Sequence, residues 1–336
     1  MPGQLPCREV IPIARPFFPW AGNKEKLVPY IAPMIPPHAK EFLEAFGGSA
    51  ALSLALKPKK GRLDIYNDVD DDLFNVFCCI KERPNALARE LKFLPVHGRT
   101  PFQFYRQIAE HRADYFRHIE DEKEILRDPA CFTREQAEEL LKVLEGRAEL
   151  FDVVRAAAFL MRQYGSFSGT GNSVAIKELN VEAIVQRLPE VNQRIQTIFL
   201  ENRDALELIA SRGSPDSVVY ADPPYVDAEK MYPAEFPPEN HALLRDLLRN
   251  HPGFVIVSYN NCPLVMELYR ENFWITSLVR ENSLAHKKQA IYKELIITNY
   301  DPRPLVDQQM DLFTKEAERK WQPRLISVPT HVLKTL

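Results

Sequence analysis

Apolar and polar positions along this chain follow two patterns: short β-branched runs, and longer stretches with helical spacing. The clearest run is Ser217-Val218-Val219-Tyr220-Ala221, continuous and apolar as a strand buried on both faces requires. Similar runs predict strands over residues 40–44, 62–66, 195–200, 254–258, 273–278 and 294–298. Helical spacing predicts a helix after the glycines of 47–48, and others over 72–80, 181–188 and 239–249. Strands alternating with helices predict an α/β fold whose mostly parallel sheet is covered on both faces.

That rhythm breaks in two places. Between residues 84 and 161 strand signals vanish, and helical spacing is interrupted near Pro95, Pro101 and Pro129. A glycine- and serine-rich loop follows over 164–173. From Asp301 onward prolines and charges dominate, which reads as a tail. The expected division is a catalytic domain in two parts, 1–83 and 172–302, a helical insertion over 84–171, and a C-terminal tail over 303–336.

Composition excludes several classes. Of the 336 residues 45% are hydrophobic and 26% charged, as in ordinary globular proteins. No run approaches the ~18 to 20 apolar residues of a membrane span. Residues 1–13 are proline-interrupted and lack a signal peptide's charged start and apolar core. A cytoplasmic, nucleoid-associated monomer is expected. The cysteines (Cys7, Cys78, Cys79, Cys131, Cys262) lack metal-binding spacing, so no metal site and no disulfide framework are expected. A net charge of −3 means that a polyanion would be met by local basic patches, not a global field. Candidates are Lys57/Lys59/Lys60/Arg62, Arg83 to Arg89, Arg99/Arg106/Arg112, Arg155/Arg162 and His286/Lys287/Lys288, and for any one cluster a solvated face is the better explanation.

Chemistry concentrates where strands end. Asp222-Pro223-Pro224-Tyr225 follows the run at 217–221, and two prolines stop a strand and fix the backbone beyond it. A carboxylate, a carbonyl and an aromatic face are thereby held at a strand's carboxyl end, where open α/β sheets bind ligands. The set suits a planar ring bearing an amino group: Asp222 and the Pro223 carbonyl accept from the amine, and the face of Tyr225 stacks. The ring face is expected to matter more than the hydroxyl. A second turn, Glu44-Ala45-Phe46-Gly47-Gly48-Ser49-Ala50, joins strand to helix with adjacent glycines that let a ligand approach the backbone. It is neither GxGxxG nor a Walker A loop. Asp68 ends the next strand, where nucleoside binders place an acid on ribose hydroxyls. The segment 165–169 reads GSFSG with Phe167 at its centre, so it is no nucleophile elbow.

Together these residues resemble the Dam-type DNA adenine N6-methyltransferases. Pro16-Phe17-Phe18-Pro19-Trp20-Ala21-Gly22-Asn23-Lys24 resembles that family's first motif, usually WAGGK, with Asn23 in place of its second glycine. Glu44 to Ala50 resembles the cofactor motif, Tyr66-Asn67-Asp68 the ribose-binding acid, and Asp222 to Tyr225 the catalytic tetrapeptide. Glu294-Leu295-Ile296-Ile297-Thr298-Asn299-Tyr300 resembles the closing strand. The motifs occur in the family's order over nearly the whole chain. The resemblance implies a Rossmann-like S-adenosylmethionine-dependent methyltransferase fold with an inserted, mainly helical target-recognition domain acting on double-stranded DNA. It implies cofactor contacts from Trp20, Lys24, Asp68 and Asp222, joined by Glu44, Phe46, Gly47 and Gly48 of the turn. Asp204 falls where the family often has an acid near the cofactor's adenine, although a helix N-cap explains it equally well. Catalysis is assigned to Asp222, Pro223 and Tyr225. Arg155, Arg162, Gln163, Tyr164, Ser166 and Ser168 are expected to face DNA. Gln309, Met310, Leu312 and Phe313 resemble the peptide by which bacterial proteins dock on the polymerase sliding clamp; a short helix packing Leu312 and Phe313 on the core explains them equally well. Other readings are methylation of adenine in ribosomal RNA and a non-catalytic, clamp-associated DNA-binding protein.

Overall fold

The computed structural model describes residues 14–94, 103, 112–128, 130–148, 152–166, 179–226, 236–281, 291–306 and 322–330. Its strands are β1 (Glu41–Glu44), β2 (Leu63–Asn67), β3 (Ile198–Glu201), β4 (Ser217–Ala221), β5 (Phe254–Asn260), β6 (Trp274–Glu281), β7 (Ile291–Thr298) and β8 (Gln322–Ser327). They form one sheet in the order β3-β2-β1-β4-β5-β7-β6-β8. The first five pair in parallel, while β7 runs antiparallel to both β5 and β6, and β8 antiparallel to β6. The order reverses between β1 and β4, which makes their carboxyl ends the sheet's switch point and its natural ligand crevice.

The helices are α1 (Val28–Ile31), α2 (Ala51–Ala55), α3 (Asp71–Glu82), α4 (Pro84–Phe93), α5 (Arg112–Leu126), α6 (Arg134–Ala148), α7 (Val153–Gly165), α8 (Val181–Gln186), α9 (Leu188–Ile195), α10 (Ala205–Ser211), α11 (Pro238–Arg249) and α12 (Pro263–Tyr269). Successive strand residues point to opposite faces, and the β4 run divides accordingly. Val218 and Tyr220 join Phe42, Ile256 and Leu52 in one core, and Val219 and Ala221 join Leu43, Val255, Val257 and Leu244 in the other. A third core, built on Tyr66 and Ile198, lies under α3, α4, α7 and α9. The sheet is therefore covered on both faces, as its unbroken apolar runs require. No helix among the described residues is long and apolar enough to cross a membrane.

The structure revises three boundaries. Residues 84–171 do not stand apart as one inserted unit, because α4 and α7 belong to the core. The Ala156, Ala157 and Ala158 side chains of α7 are small enough for close approach to α3 and are buried there. Asn75 ties the two helices: its amide donates to Asp152 O and accepts from Asp152 N, both at 2.9 Å. Among the described residues of this region, α5 and α6 pack mainly on each other, with α6 also touching α7. The predicted strand at 195–200 begins at Ile198, because Pro189 at the second position of α9 starts a helix that runs through Ile195. The tail over 303–336 also returns to the fold, since Gln322–Ser327 is an edge strand paired with β6.

Candidate active site

Three strand tips converge at the switch point. At the tip of β1, Gly47 and Gly48 approach their neighbours more closely than a side chain would allow. A Cβ on Gly47 would lie 2.1 Å from the Tyr66 ring, and one on Gly48 would lie 2.8 Å from Trp20 Nε1. Gly48 also has φ +49°, a left-handed conformation natural to glycine. The tip of β2 holds this turn from below. Asp68 Oδ2 accepts from the Gly48 amide at 2.8 Å, Oδ1 accepts from the Asp70 amide at 2.9 Å, and the Tyr66 hydroxyl donates to Gly48 O at 2.9 Å. Asn67 stitches three tips together: its amide donates to Ala45 O at 2.9 Å and Arg203 O at 3.0 Å, and its carbonyl accepts from Arg203 N at 2.9 Å.

Burial pushes the Asp68 carboxyl up to about 6, against the pull of the Asp70 and Gly48 amides. Glu44 is only 2% exposed, and its carboxylate accepts from the Leu52 and Ser53 amides at 3.3 and 2.9 Å. Burial raises it to about 7. Glu44 thus supports the turn through the backbone of α2. Phe46 packs edge-on against Phe236, ring centroids 5.6 Å apart. Trp20 is stacked on Phe159 at 6.2 Å, so its indole is fixed beside Gly48.

The β4 tip carries the second half. Asp222 Oδ2 lies 3.1 Å from Lys24 Nζ, and Oδ1 accepts from Ser258 Oγ at 2.7 Å. Ser258 has one proton and gives it to the carboxylate, so the Tyr220 hydroxyl, 2.8 Å away, donates to Ser258. Lys24 Nζ also donates to Gly22 O at 2.8 Å and lies 4.5 Å from the Tyr225 ring centroid. Burial raises the Asp222 carboxyl, opposed by the Lys24 charge and the Ser258 hydroxyl. Glu294 is raised likewise by burial, opposed first by Lys24. A carboxylate acceptor, a cation and an aromatic face therefore meet at one partly buried point.

Comparison with known proteins decides the family. The sequence profile of the D12 class N6 adenine-specific DNA methyltransferases matches residues 20–285. The chain belongs to that family. A relative, the type II methyltransferase M1.LlaDCHI of Lactococcus lactis subsp. cremoris, is 26% identical over 307 residues, covering 85% of this chain and 95% of the relative. The type II methyltransferase M.MjaIII of Methanocaldococcus jannaschii is 23% identical over 230 residues, covering 64% of this chain and 71% of that protein. This methyltransferase acts on adenine N6 in DNA and so requires a methyl donor.

Several residues expected at the methyltransferase's surface lie elsewhere. Arg155 is 5% exposed with its Nε 3.2 Å from Asp72, and Gln163 near the end of α7 and Ser166, which caps it, are buried too. The Tyr164 hydroxyl donates to Phe17 O in the interior. Helix α7 carries both apolar and polar side chains into the core, so these four are buried in this structure and not on an open face. Arg162 is half-buried, 5.3 Å over the Phe159 ring that stacks on Trp20. Ser168 lies outside the described residues, as do Gln309, Met310, Leu312 and Phe313. Asp204 is the exposed N-cap of α10, accepting from the Leu206 and Glu207 amides. Sequence reasoning missed Ser258 and Asn67, whose importance depends on strand neighbours, and gave Glu294 no role of its own. Among the described residues no cluster of His, Cys, Asp and Glu could hold a metal ion.

Proposed function

We propose that the donor of this DNA adenine methyltransferase is S-adenosylmethionine, held by Trp20, Gly47, Gly48 and Asp68, and that Asp222, Pro223 and Tyr225 act on a flipped-out adenine. The observation that carries this reading is the Lys24–Asp222 pair at 3.1 Å, made by the same segment whose Trp20 lies against Gly48 of the glycine turn. The fit to the donor rests on two features: a bare-backbone turn flanked by a fixed indole, and a buried carboxylate. Each oxygen of Asp68 accepts one amide and retains a lone pair for a ribose hydroxyl. When bound, that cofactor supplies an electrophilic methyl group.

The chain's own contribution is positioning and electrostatics. Adenine N6 is a weak nucleophile because its lone pair is delocalised into the ring. Hydrogen bonds donated by the amine to Asp222 and the Pro223 carbonyl favour a pyramidal nitrogen whose lone pair can attack. Lys24 and Ser258 oppose the burial that raises the Asp222 carboxyl, and so favour the charged form, which is the stronger acceptor. Tyr225 offers a face to the extruded base. Target recognition is assigned to α5 and α6 with the glycine- and serine-rich segment that contains Ser168. Docking on a sliding clamp is assigned to Gln309, Met310, Leu312 and Phe313, which lie in sequence between residues 303–306 and β8. A labelled peptide over 306–315 titrated with clamp tests it.

The test of the site is Asp222→Ala, assayed with tritiated S-adenosylmethionine on duplex DNA. Label should appear as N6-methyladenine with the unaltered chain and disappear in the variant; a lower melting temperature is expected because buried Lys24 loses its partner, so circular dichroism is used to confirm that the variant is folded at the assay temperature. Wild-type transfer by the variant overturns the assignment.

A further inference from the structure

Tyr225 leaves β4 through two prolines and belongs to no helix or strand, so its ring direction must come from side-chain partners. Two are present. Lys24 Nζ lies 4.5 Å from the ring centroid, and the phenol hydroxyl donates to Glu294 Oε2 at 2.5 Å. Glu294 stands on β7, opposite Asn260 of β5 and Leu278 of β6, in the antiparallel part of the sheet. That strand is fixed from both sides, so its carboxylate is a rigid anchor for a ring that the backbone leaves free to turn. A charge-assisted bond of this kind is directional and among the stronger hydrogen bonds.

We propose that Glu294 is a positioning residue for methyl transfer: by holding the Tyr225 hydroxyl it sets the angle at which the ring meets the target base. The proposal rests on the reading of Tyr225 as the stacking platform. It gives the hydroxyl a function beside the ring face. The competing role for Glu294 is a counter-charge for Lys24, which needs its negative charge and not its hydrogen bond.

Single-turnover methylation by the full chain separates these roles. Glu294→Ala and Tyr225→Phe should each slow transfer about tenfold, the size expected for losing a hydrogen bond to a charged group. Affinities for S-adenosylhomocysteine and DNA should stay within about twofold, placing the loss in the rate and not in binding. The double variant should be no slower than the slower single one, because both remove the same bond. Glu294→Gln retains a carbonyl acceptor and should keep most of the rate. Multiplied losses in the double variant, or Glu294→Gln as slow as Glu294→Ala, overturn the proposal. If Glu294→Ala does not fold, Tyr225→Phe decides alone: a wild-type rate overturns it. An active Asp222→Ala would instead sink the site assignment itself, so the two failures are distinguishable.

Discussion

Lys24 Nζ lies 3.1 Å from Asp222 Oδ2 while Ser258 holds Oδ1 at 2.7 Å, so both carboxylate oxygens have a donor before any substrate amine arrives. Burial works to neutralise Asp222, and the Lys24 charge is the largest influence opposing it. In Lys24→Met burial acts unopposed by that charge, and Asp222 should take up its proton at higher pH. The acid limb of the kcat/KM profile should therefore move upward in pH. An unmoved limb would show that Asp222 does not need the cation to stay ionised.

Asp68 should govern cofactor affinity. A ribose hydroxyl needs the ionised acceptor, so binding of S-adenosylhomocysteine should weaken as pH falls through about 6, where burial has placed this carboxyl. Asp68→Asn should bind the ligand several-fold more weakly, bind DNA normally, and lose the pH dependence. Calorimetry over pH 5 to 8 reads all three; a variant with unchanged ligand affinity would reduce Asp68 to a support for Gly48.

Glu44 has the opposite sign from the usual structural carboxylate. Its folded value, about 7, lies above the ordinary 4.5, so the folded state binds more protons than the unfolded one between those limits. Stability contributed this way is fully present below about 4.5 and is lost as pH rises through about 7. Glu44→Gln should flatten the melting temperature over that window, as differential scanning calorimetry would show.

Gly48→Ala should lose cofactor binding and stability together. Its Cβ would sit 2.8 Å from Trp20 Nε1, on a backbone with φ +49°. Adding Trp20→Ala removes the collision but not the backbone strain, so thermal stability should recover in part while cofactor affinity should not.

Arg155→Ala should act on the fold and not on DNA. Breaking the buried pair with Asp72 leaves an uncompensated charge and should cost about 3 kcal/mol. The salt dependence of DNA affinity should be unchanged; a shallower salt slope would return Arg155 to the interface.

How far the sequence carried the reading depends on the range of the interactions. The β4 run has the same bounds in sequence and structure because a strand buried on both faces must be apolar throughout. Asp68 and Gly48, 20 residues apart, could be paired in advance because a strand-turn-helix-strand unit brings consecutive tips together. Arg155, Gln163, Tyr164 and Ser166 were misread because a polar side chain on a helix looks solvent-facing until its partners are known. The partners of Arg155 and Tyr164, Asp72 and Phe17, come from other parts of the chain.

The sequence by itself determined the α/β class, the two chemical tips and the family resemblance, since each is written in local pattern and motif order. Tertiary structure decided what surrounds those tips: Ser258 and Lys24 on Asp222, Glu294 on Tyr225, α4 and α7 in the core, and β8 on the sheet edge. These contacts join residues far apart in the chain, and only the order in which strands pair brings them within hydrogen-bonding distance.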